Sequence, residues 1–273
     1  MNSLDFFPVG GGSINETYRV QLNRQQYYFL KLNSAIPYSD FFEKEKQGLA
    51  FLRQKSILRV PDVIENIKGD MTQLLLMEWI DAGEKTKNFW ASFGKKLAML
   101  HQVSDNMFGF ETDNFIGALP QSNKPYQSWS DFYVQCRLMP QVIKGVEKNL
   151  LDKIHLRSFE TLYRKLNSIF NEEKPSLLHG DLWSGNYMCD KNEQPVLIDP
   201  AVYFGHRSID LGMTTLFGGF HNIFYDAYHH HYPFPENYRD QWEVSNLYPL
   251  LIHLNLFGSS YLPGINAILK KYT

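Results

Sequence analysis

Over the first eighty positions, hydrophobic residues alternate with polar ones; beyond them they recur at helical spacing almost to the end of the chain. Tyr18-Arg19-Val20-Gln21-Leu22 alternates, a turn follows at Asn23–Gln26, and Tyr27-Tyr28-Phe29-Leu30-Lys31-Leu32 reads as the second arm of a β-hairpin. The period then changes. Across Phe41–Gln54, Glu45, Leu49 and Leu52 fall at i, i+4 and i+7, one face of a helix. Val60–Ile64 and Leu74–Ile80 predict two more strands, the second ending at a hinge, Asp81-Ala82-Gly83. From Asn88 helices dominate. Phe89, Phe93, Leu97 and Leu100 share a face, helices are predicted at Trp129–Lys144 and Leu156–Phe170, and a last helical block runs from about Ile209 to Lys271. Between them Ser104–Ser128 is a long Gly/Asn/Pro-rich stretch whose Phe108, Phe110, Phe115 and Ile116 predict an ordered loop on the substrate side. The pattern is that of an α+β chain, with a small β-rich part over residues 1–80 and a larger, mainly helical part over 81–273.

The candidate chemistry is concentrated in L-L-H-G-D-L-W-S-G-N (Leu177–Asn186) and V-L-I-D-P (Val196–Pro200). Asp181 and Asn186 stand five positions apart, the spacing of a phosphoryl-transfer loop that supplies a base and a metal amide. Tyr187–Cys189 and Val196–Ile198 read as two strands joined by the turn residues Asp190, Lys191, Asn192 and Glu193. A hairpin pairing Cys189 with Val196 would put Asn186 opposite Asp199, with facing Cβ atoms ~5 Å apart. Both side chains could then hold one hard cation through oxygen. A lone H-G-D is short and its residue types are common in turns, so the reading rests on the conjunction.

Three other features bear on this site. Lys31 sits in an apolar strand and needs a carboxylate; Glu45, on the apolar face of its helix, is the expected partner, with Glu43 as the solvated reserve. Gly10-Gly11-Gly12-Ser13 lacks the G-K-[ST] and helix of a Walker A loop and also fails as a dinucleotide fingerprint. Alone it reads as a turn, though its N–H groups could close over phosphates. Backbone groups at Met77, Glu78, Trp79 and Ile80 could meet an adenine edge. His229-His230-His231 is read as a surface tract, because consecutive side chains diverge. Asp210 is read as structural, accepting N–H bonds from the catalytic loop or capping a helix.

Composition narrows the setting. A net charge of −2 argues against nucleic acid as the main partner. Two cysteines, Cys136 and Cys189, cannot staple 273 residues and suit a reducing cytosol. The N-terminus carries no basic and apolar signal pattern, and Leu247–Phe257, broken by Pro249, His253 and Asn255, is too short for a bilayer. A soluble cytoplasmic protein with no membrane partner is expected.

With these residues assembled, the chain resembles the fructosamine kinase, or ketosamine-3-kinase, family, within the kinase-like fold shared with aminoglycoside phosphotransferases. The resemblance runs from G-G-S-I-N-E-T-Y at Gly11 to H-L-N-L-F-G-S-S-Y-L ending at Leu262; Leu177–Asn186, with Trp183, and D-P-A-V-Y-F-G-H-R (Asp199–Arg207) are its most specific parts, and F-G-G-F (Phe217–Phe220) adds to it. It implies a bilobal protein-kinase-like fold and ATP-dependent phosphorylation of the sugar 3-hydroxyl of a ketosamine, small or protein-bound, followed by loss of the sugar. Residues 1–80 would be the nucleotide-binding lobe and 81–273 the catalytic and substrate lobe. Asp181 would be the base, Asn186 and Asp199 the Mg²⁺ ligands, and Trp183 a sugar platform, with His206 on the substrate side. Lys31, oriented by Glu45, and the Gly11, Gly12 and Ser13 corner would hold the phosphates of ATP. The rival readings are a kinase of an aminoglycoside, choline or a sugar alcohol, and a non-catalytic nucleotide-binding protein of the same shape. Two departures stand out: Ser13 where relatives often carry cysteine, which removes any thiol regulation there, and His206 where relatives often carry an acid.

Overall fold

Strand pairing sets up the N-terminal part. The computed structural model describes residues 4–10, 14–23, 26–36 and 40–272. Strands β1 (Asp5–Pro8), β2 (Glu16–Asn23) and β3 (Gln26–Ser34) are followed by helix α1 (Phe41–Lys55), then β4 (Val63–Lys68) and β5 (Thr72–Glu78). They form one antiparallel sheet in the order β1-β2-β3-β5-β4. Helix α1 buries Phe42, Gly48, Leu49 and Leu52, the stripe its spacing predicts. Strand β4 starts later than the sequence reading placed it. Pro61 has no N–H to give a ladder, while the Asp62 carbonyl accepts from Glu78 N at 2.9 Å, so regular pairing begins only at Val63. β4 then runs along the sheet edge with mostly exposed side chains, a pattern that apolar alternation does not flag.

After the hinge, Thr86 caps α2 (Lys87–His101) by accepting from Phe89 N at 3.3 Å. The long stretch that follows is ordered by a small hairpin, β6 (Asn114–Ile116) with β7 (Leu119–Gln121). Side-chain amides tie it down: Asn114 donates to the Val202 carbonyl at 2.9 Å and Gln121 to that of Ala201 at 3.3 Å. The single helix expected from Trp129 is instead α3 (Trp129–Phe132), a π-helical turn (Tyr133–Leu138) and α4 (Met139–Glu147). The wide turn carries Arg137, which is fully buried, donates to Asn123 Oδ1 at 2.7 Å and lies 3.9 Å over the Tyr203 ring. Helix α5 (Lys153–Ile169) starts from a capping box made by Asp152 and His155.

Four short strands then frame the catalytic stretch: β8 (Ser176–Leu178) pairs with β11 (Tyr203–Gly205), and β9 (Tyr187–Cys189) with β10 (Pro195–Leu197). The chain closes with α6 (Ser208–Met213), α7 (Asn222–His231), α8 (Tyr238–Ser245), α9 (Leu247–Phe257), a 3₁₀ turn (Ser259–Tyr261) and α10 (Leu262–Tyr272). The expected last helical block is thus five helices, one break falling at Gly258, whose φ of 94° ends α9. Among the described residues no helix is long and apolar enough to cross a membrane. The His229–His231 tract is exposed at the end of α7.

One apolar cluster joins Leu49, Leu52, Leu75 and Met77 of the N-terminal part to Phe89, Leu182, Tyr187 and Leu197 beneath the catalytic stretch. A second fills the C-terminal helices around Phe132, Tyr133, Leu162 and Leu251. Arg59 fastens the same junction from outside. Its guanidinium meets Asp190 at the catalytic hairpin and Glu78 Oε1 at the hinge, 3.0 Å away, while its carbonyl accepts from Leu197 N at 2.9 Å. Because the Arg59 side chain is 40% exposed, solvent screens both ion pairs. Arg59→Ala is therefore expected to cost about 1 kcal/mol, a fall in Tm of roughly 2–4 °C by calorimetry. An unchanged Tm would leave the junction to the apolar cluster alone.

Candidate active site

The loop after β8 is shaped by a buried carboxylate. Asp210 accepts His179 N at 2.8 Å and Gly180 N at 2.9 Å on its two oxygens, and His101 Nε2 lies 3.2 Å from the same group. This is the structural role the sequence reading gave Asp210, by the loop-holding route and not as a helix cap. Gly180 has φ 85°, and a Cβ there would stand 2.0 Å from the Ala201 carbonyl oxygen, so no other residue fits the turn. His179 donates from Nε2 to the Ile198 carbonyl at 2.9 Å, which leaves Nδ1 to accept Asp181 N at 3.2 Å. Burial lowers the pKa of His179 and keeps it in this neutral form.

Asp181 is thereby presented at the floor of a cleft. Asn186 Nδ2 donates to its Oδ2 at 2.8 Å and to its carbonyl at 2.9 Å, which turns the Asn186 amide oxygen away from Asp181. Loss of surrounding water, reinforced by Asp199, pushes the Asp181 carboxyl up to about 7. The residue keeps partial contact with the cleft, so water there tempers this shift.

Asp199 arrives by a different register from the one expected. Asp190 Oδ1 accepts Asn192 N and Gln194 N, Glu193 turns at φ 57°, and Asp190 N bonds the Gln194 carbonyl. This turn sets Pro195 opposite Cys189 and Val196 opposite Met188, so Asn186 faces Ile198, whose N–H it accepts at 3.1 Å. Asp199 comes one residue later and enters the cleft through a left-handed backbone step, φ 55°, which Asp tolerates. The corrected pairing still brings Asp181, Asn186 and Asp199 to one cavity.

Lys31 and Glu45 meet as expected. Lys31 Nζ lies 2.6 Å from Glu45 Oε1 and 2.6 Å from Asp199 Oδ1. Burial acts to lower the pKa of Lys31, but the charges of Asp199 and Glu45 outweigh it, and the ammonium is held firmly protonated. Glu45 is pushed up by the same burial. Glu43 instead meets the surface residues Gln47 and Asn66.

Lys31, Glu45, Asp181, Asn186 and Asp199 line one cavity of about 420 Å³ between the sheet and the helical part. Met77, Glu78, Trp79, Ile80 and Trp183 line it too; Gly11, Gly12 and Ser13 lie outside the described residues, though their neighbours Gly10 and Ile14 line the cavity. The Trp183 ring folds over Gly185, where a Cβ would sit 2.3 Å from it, and its edge meets Phe217 at 6.0 Å. His206 is a correction. It is buried between Trp129 and Phe170, with Nε2 3.7 Å from Glu173 and Nδ1 bonded to Ser208 Oγ at 2.7 Å, and it does not line the cavity. Burial drops it to about 4, so it is a neutral core residue. Sequence reasoning missed Asn114, Phe115 and Gly117 from the long loop and His253 and Phe257 from α9, all of which line the cavity. Phe115 had been read only as part of an ordered loop, and nothing in its spacing pointed to the cavity.

The donor set suits a hard cation held jointly with phosphates. It offers a carboxylate and an amide, both oxygen ligands, and among the described residues no three His, Cys, Asp or Glu side chains group as a self-sufficient metal cage.

The profile of the fructosamine kinase family matches residues 2–273. The chain belongs to the fructosamine kinase family. Within that family it is 38% identical over 269 residues to a "Probable ketoamine kinase" of Lactiplantibacillus plantarum, covering 97% of this chain and 93% of that one. It is 36% identical over 271 residues to the chloroplastic protein-ribulosamine 3-kinase of Arabidopsis thaliana, covering 97% and 81%. A crystal structure from Thermobifida fusca, named a "putative fructosamine-3-kinase", superposes with a TM-score of 0.88 at 31% identity, covering 97% and 92%. An aminoglycoside 2′-phosphotransferase, at 14% identity and a TM-score of 0.63 over 99% and 91% of the two chains, shares the fold alone. The α+β, protein-kinase-like architecture expected from the sequence is the one observed.

Proposed function

We propose that this fructosamine kinase family member transfers the γ-phosphoryl group of ATP to the 3-hydroxyl of a ketosamine. The observation that carries the reading is the meeting of Lys31 with Glu45, Asp181, Asn186 and Asp199 in one cavity, in a chain matched end to end by this family. Residues 1–80 take the nucleotide and residues 81–273 the acceptor. Met77–Ile80 border the base of ATP, and Lys31 with the Gly11, Gly12 and Ser13 corner holds its phosphates. Asn186 and Asp199 hold Mg²⁺, which when bound neutralises phosphate charge. Trp183 lies beneath the sugar, and Asp181 takes the proton of the attacking hydroxyl as the new O–P bond forms, the bond from the γ-phosphorus to the bridging oxygen breaks and ADP departs. A phosphate beside the C2 carbonyl leaves far more readily than hydroxide, so the adduct then comes apart and the amine is recovered. A cytosolic setting fits the two buried, free thiols Cys136 and Cys189.

An acceptor panel tests this reading. With ATP and Mg²⁺, ribulose, erythrulose and fructose adducts of amines are expected to be phosphorylated at O3, located by phosphorus–proton correlation NMR. Aminoglycosides, choline and sugar alcohols are expected to give no product. Preferred turnover of one of those three would replace the ketosamine reading.

A further inference from the structure

The cavity continues past the residues needed for phosphoryl transfer. Its lining also takes in Trp183 and, from α9, Ile252, His253, Leu256 and Phe257. The rings run on without a gap: Trp183 to Phe217 at 6.0 Å, Phe217 to His253 at 4.9 Å, His253 to Phe257 at 5.5 Å. Phe217 holds φ 53° and is followed by Gly218 and Gly219, also at positive φ. A phenylalanine in that region is costly, and here it keeps an aromatic ring against both Trp183 and His253. Phe257, which lines the cavity, is 47% exposed, and Phe217, outside that lining but packed on Trp183 and His253, is 41% exposed.

We propose that the α9 wall, with Phe257 at its lip and Phe217 behind it, is the subsite for the carrier of the ketosamine, and that it selects carriers joined to the sugar nitrogen through an uncharged alkyl stem. This deepens the proposed function and rests on it. In a ketosamine the carrier hangs from C1 through nitrogen. With the phosphates of ATP at Lys31 and the sugar over Trp183, the carrier is assigned to α9, the lining that the Phe217 ring joins to Trp183. That wall carries no ionised group. His253 gives Nδ1–H to the Pro249 carbonyl at 2.7 Å, and burial holds its pKa below the ordinary value, so it stays neutral. An alkyl stem gains by covering Leu256 and Phe257. A carboxylate one carbon from the nitrogen, as in an adduct of an α-amino acid, would be brought against this wall with no cation on α9 to receive it.

The test uses the full-length protein with ribulose adducts of methylamine, n-butylamine and glycine, reading kcat/KM for each. The butylamine adduct should exceed the methylamine adduct by about tenfold, the scale at which a hydrophobic pocket reads added methylenes. The glycine adduct should fall below both. Phe257→Ala should bring the butyl-to-methyl ratio close to one, and Phe257→Leu should retain part of it. Phe257→Arg, whose head can reach solvent from this exposed position, should raise the glycine adduct relative to methylamine several-fold. A wild-type ratio near one, or a ratio that survives Phe257→Ala, overturns the subsite while leaving the kinase reading in place. Failure of every adduct to accept phosphate overturns the kinase reading itself, and the subsite with it.

Discussion

Asp181→Asn is expected to abolish turnover and at the same time stabilise the protein above pH 7. Loss of a positioned base lowers the rate by about 10²–10⁴-fold. The stability gain follows from proton linkage. The folded-state carboxyl is raised to about 7, whereas an unfolded one sits near 4. The folded state therefore holds its proton more tightly, and stability is lost as pH rises through that window. Above about pH 7 the wild type carries the full cost, roughly 2 kcal/mol once water in the cleft is allowed for. Asparagine keeps the shape without the charge. At pH 8 its Tm should exceed that of wild type by about 4–8 °C, shrinking towards zero near pH 4. In the wild type, the acid limb of kcat/KM should fall off with an apparent pKa of about 7. Substantial remaining activity would remove Asp181 from the base role, and a Tm difference independent of pH would remove the buried-charge argument.

Lys31→Met should also abolish turnover, but with the opposite effect on stability. Its ammonium lies 2.6 Å from each of two carboxylates, one of them on a Glu45 side chain only 10% exposed. Taking the cation away leaves Glu45 and Asp199 facing one another. Breaking a buried pair costs about 3–5 kcal/mol; Asp199, 42% exposed, can turn to water, so the low end applies. A Tm fall of roughly 6–12 °C is expected by calorimetry. Turnover should drop at least about 10²-fold, as when one preorganised electrostatic group is lost. The double variant Lys31→Met with Glu45→Gln separates the two effects: it should recover much of the Tm and none of the activity. If it recovers neither, the triad is not what holds this corner together.

These residues were legible because each is constrained locally. The i, i+4, i+7 stripe put Glu45 on the apolar face of α1, where only a cation could accept it, and Lys31 was the cation in the nearest apolar strand. The five-residue separation of Asp181 and Asn186 survived translation into space, because the turn between them is tightened by hydrogen bonds from Asn186 itself. The hairpin register was not legible to the residue. It was decided by Asp190 accepting two N–H groups and by Glu193 adopting positive φ, neither of which is visible in alternation. His206 was placed by motif alone, and a core of Trp129 and Phe170 claimed it. The π-helical turn that accommodates Arg137 also left no periodic trace: a helix with one extra residue per turn looks, in sequence, like a helix. The α9 wall was read only as a helix too short for a bilayer, since cavity lining depends on packing between distant segments.

The apolar cluster shared by Leu49, Leu75 and Met77 with Phe89, Leu182 and Leu197 has a consequence for how the molecule comes apart. A chain cut near the hinge would bare oily faces on both fragments at once, so neither piece should be recoverable as a soluble, cooperatively folded unit. Heating the intact protein should accordingly give one calorimetric peak, with the sheet and the catalytic loop lost together.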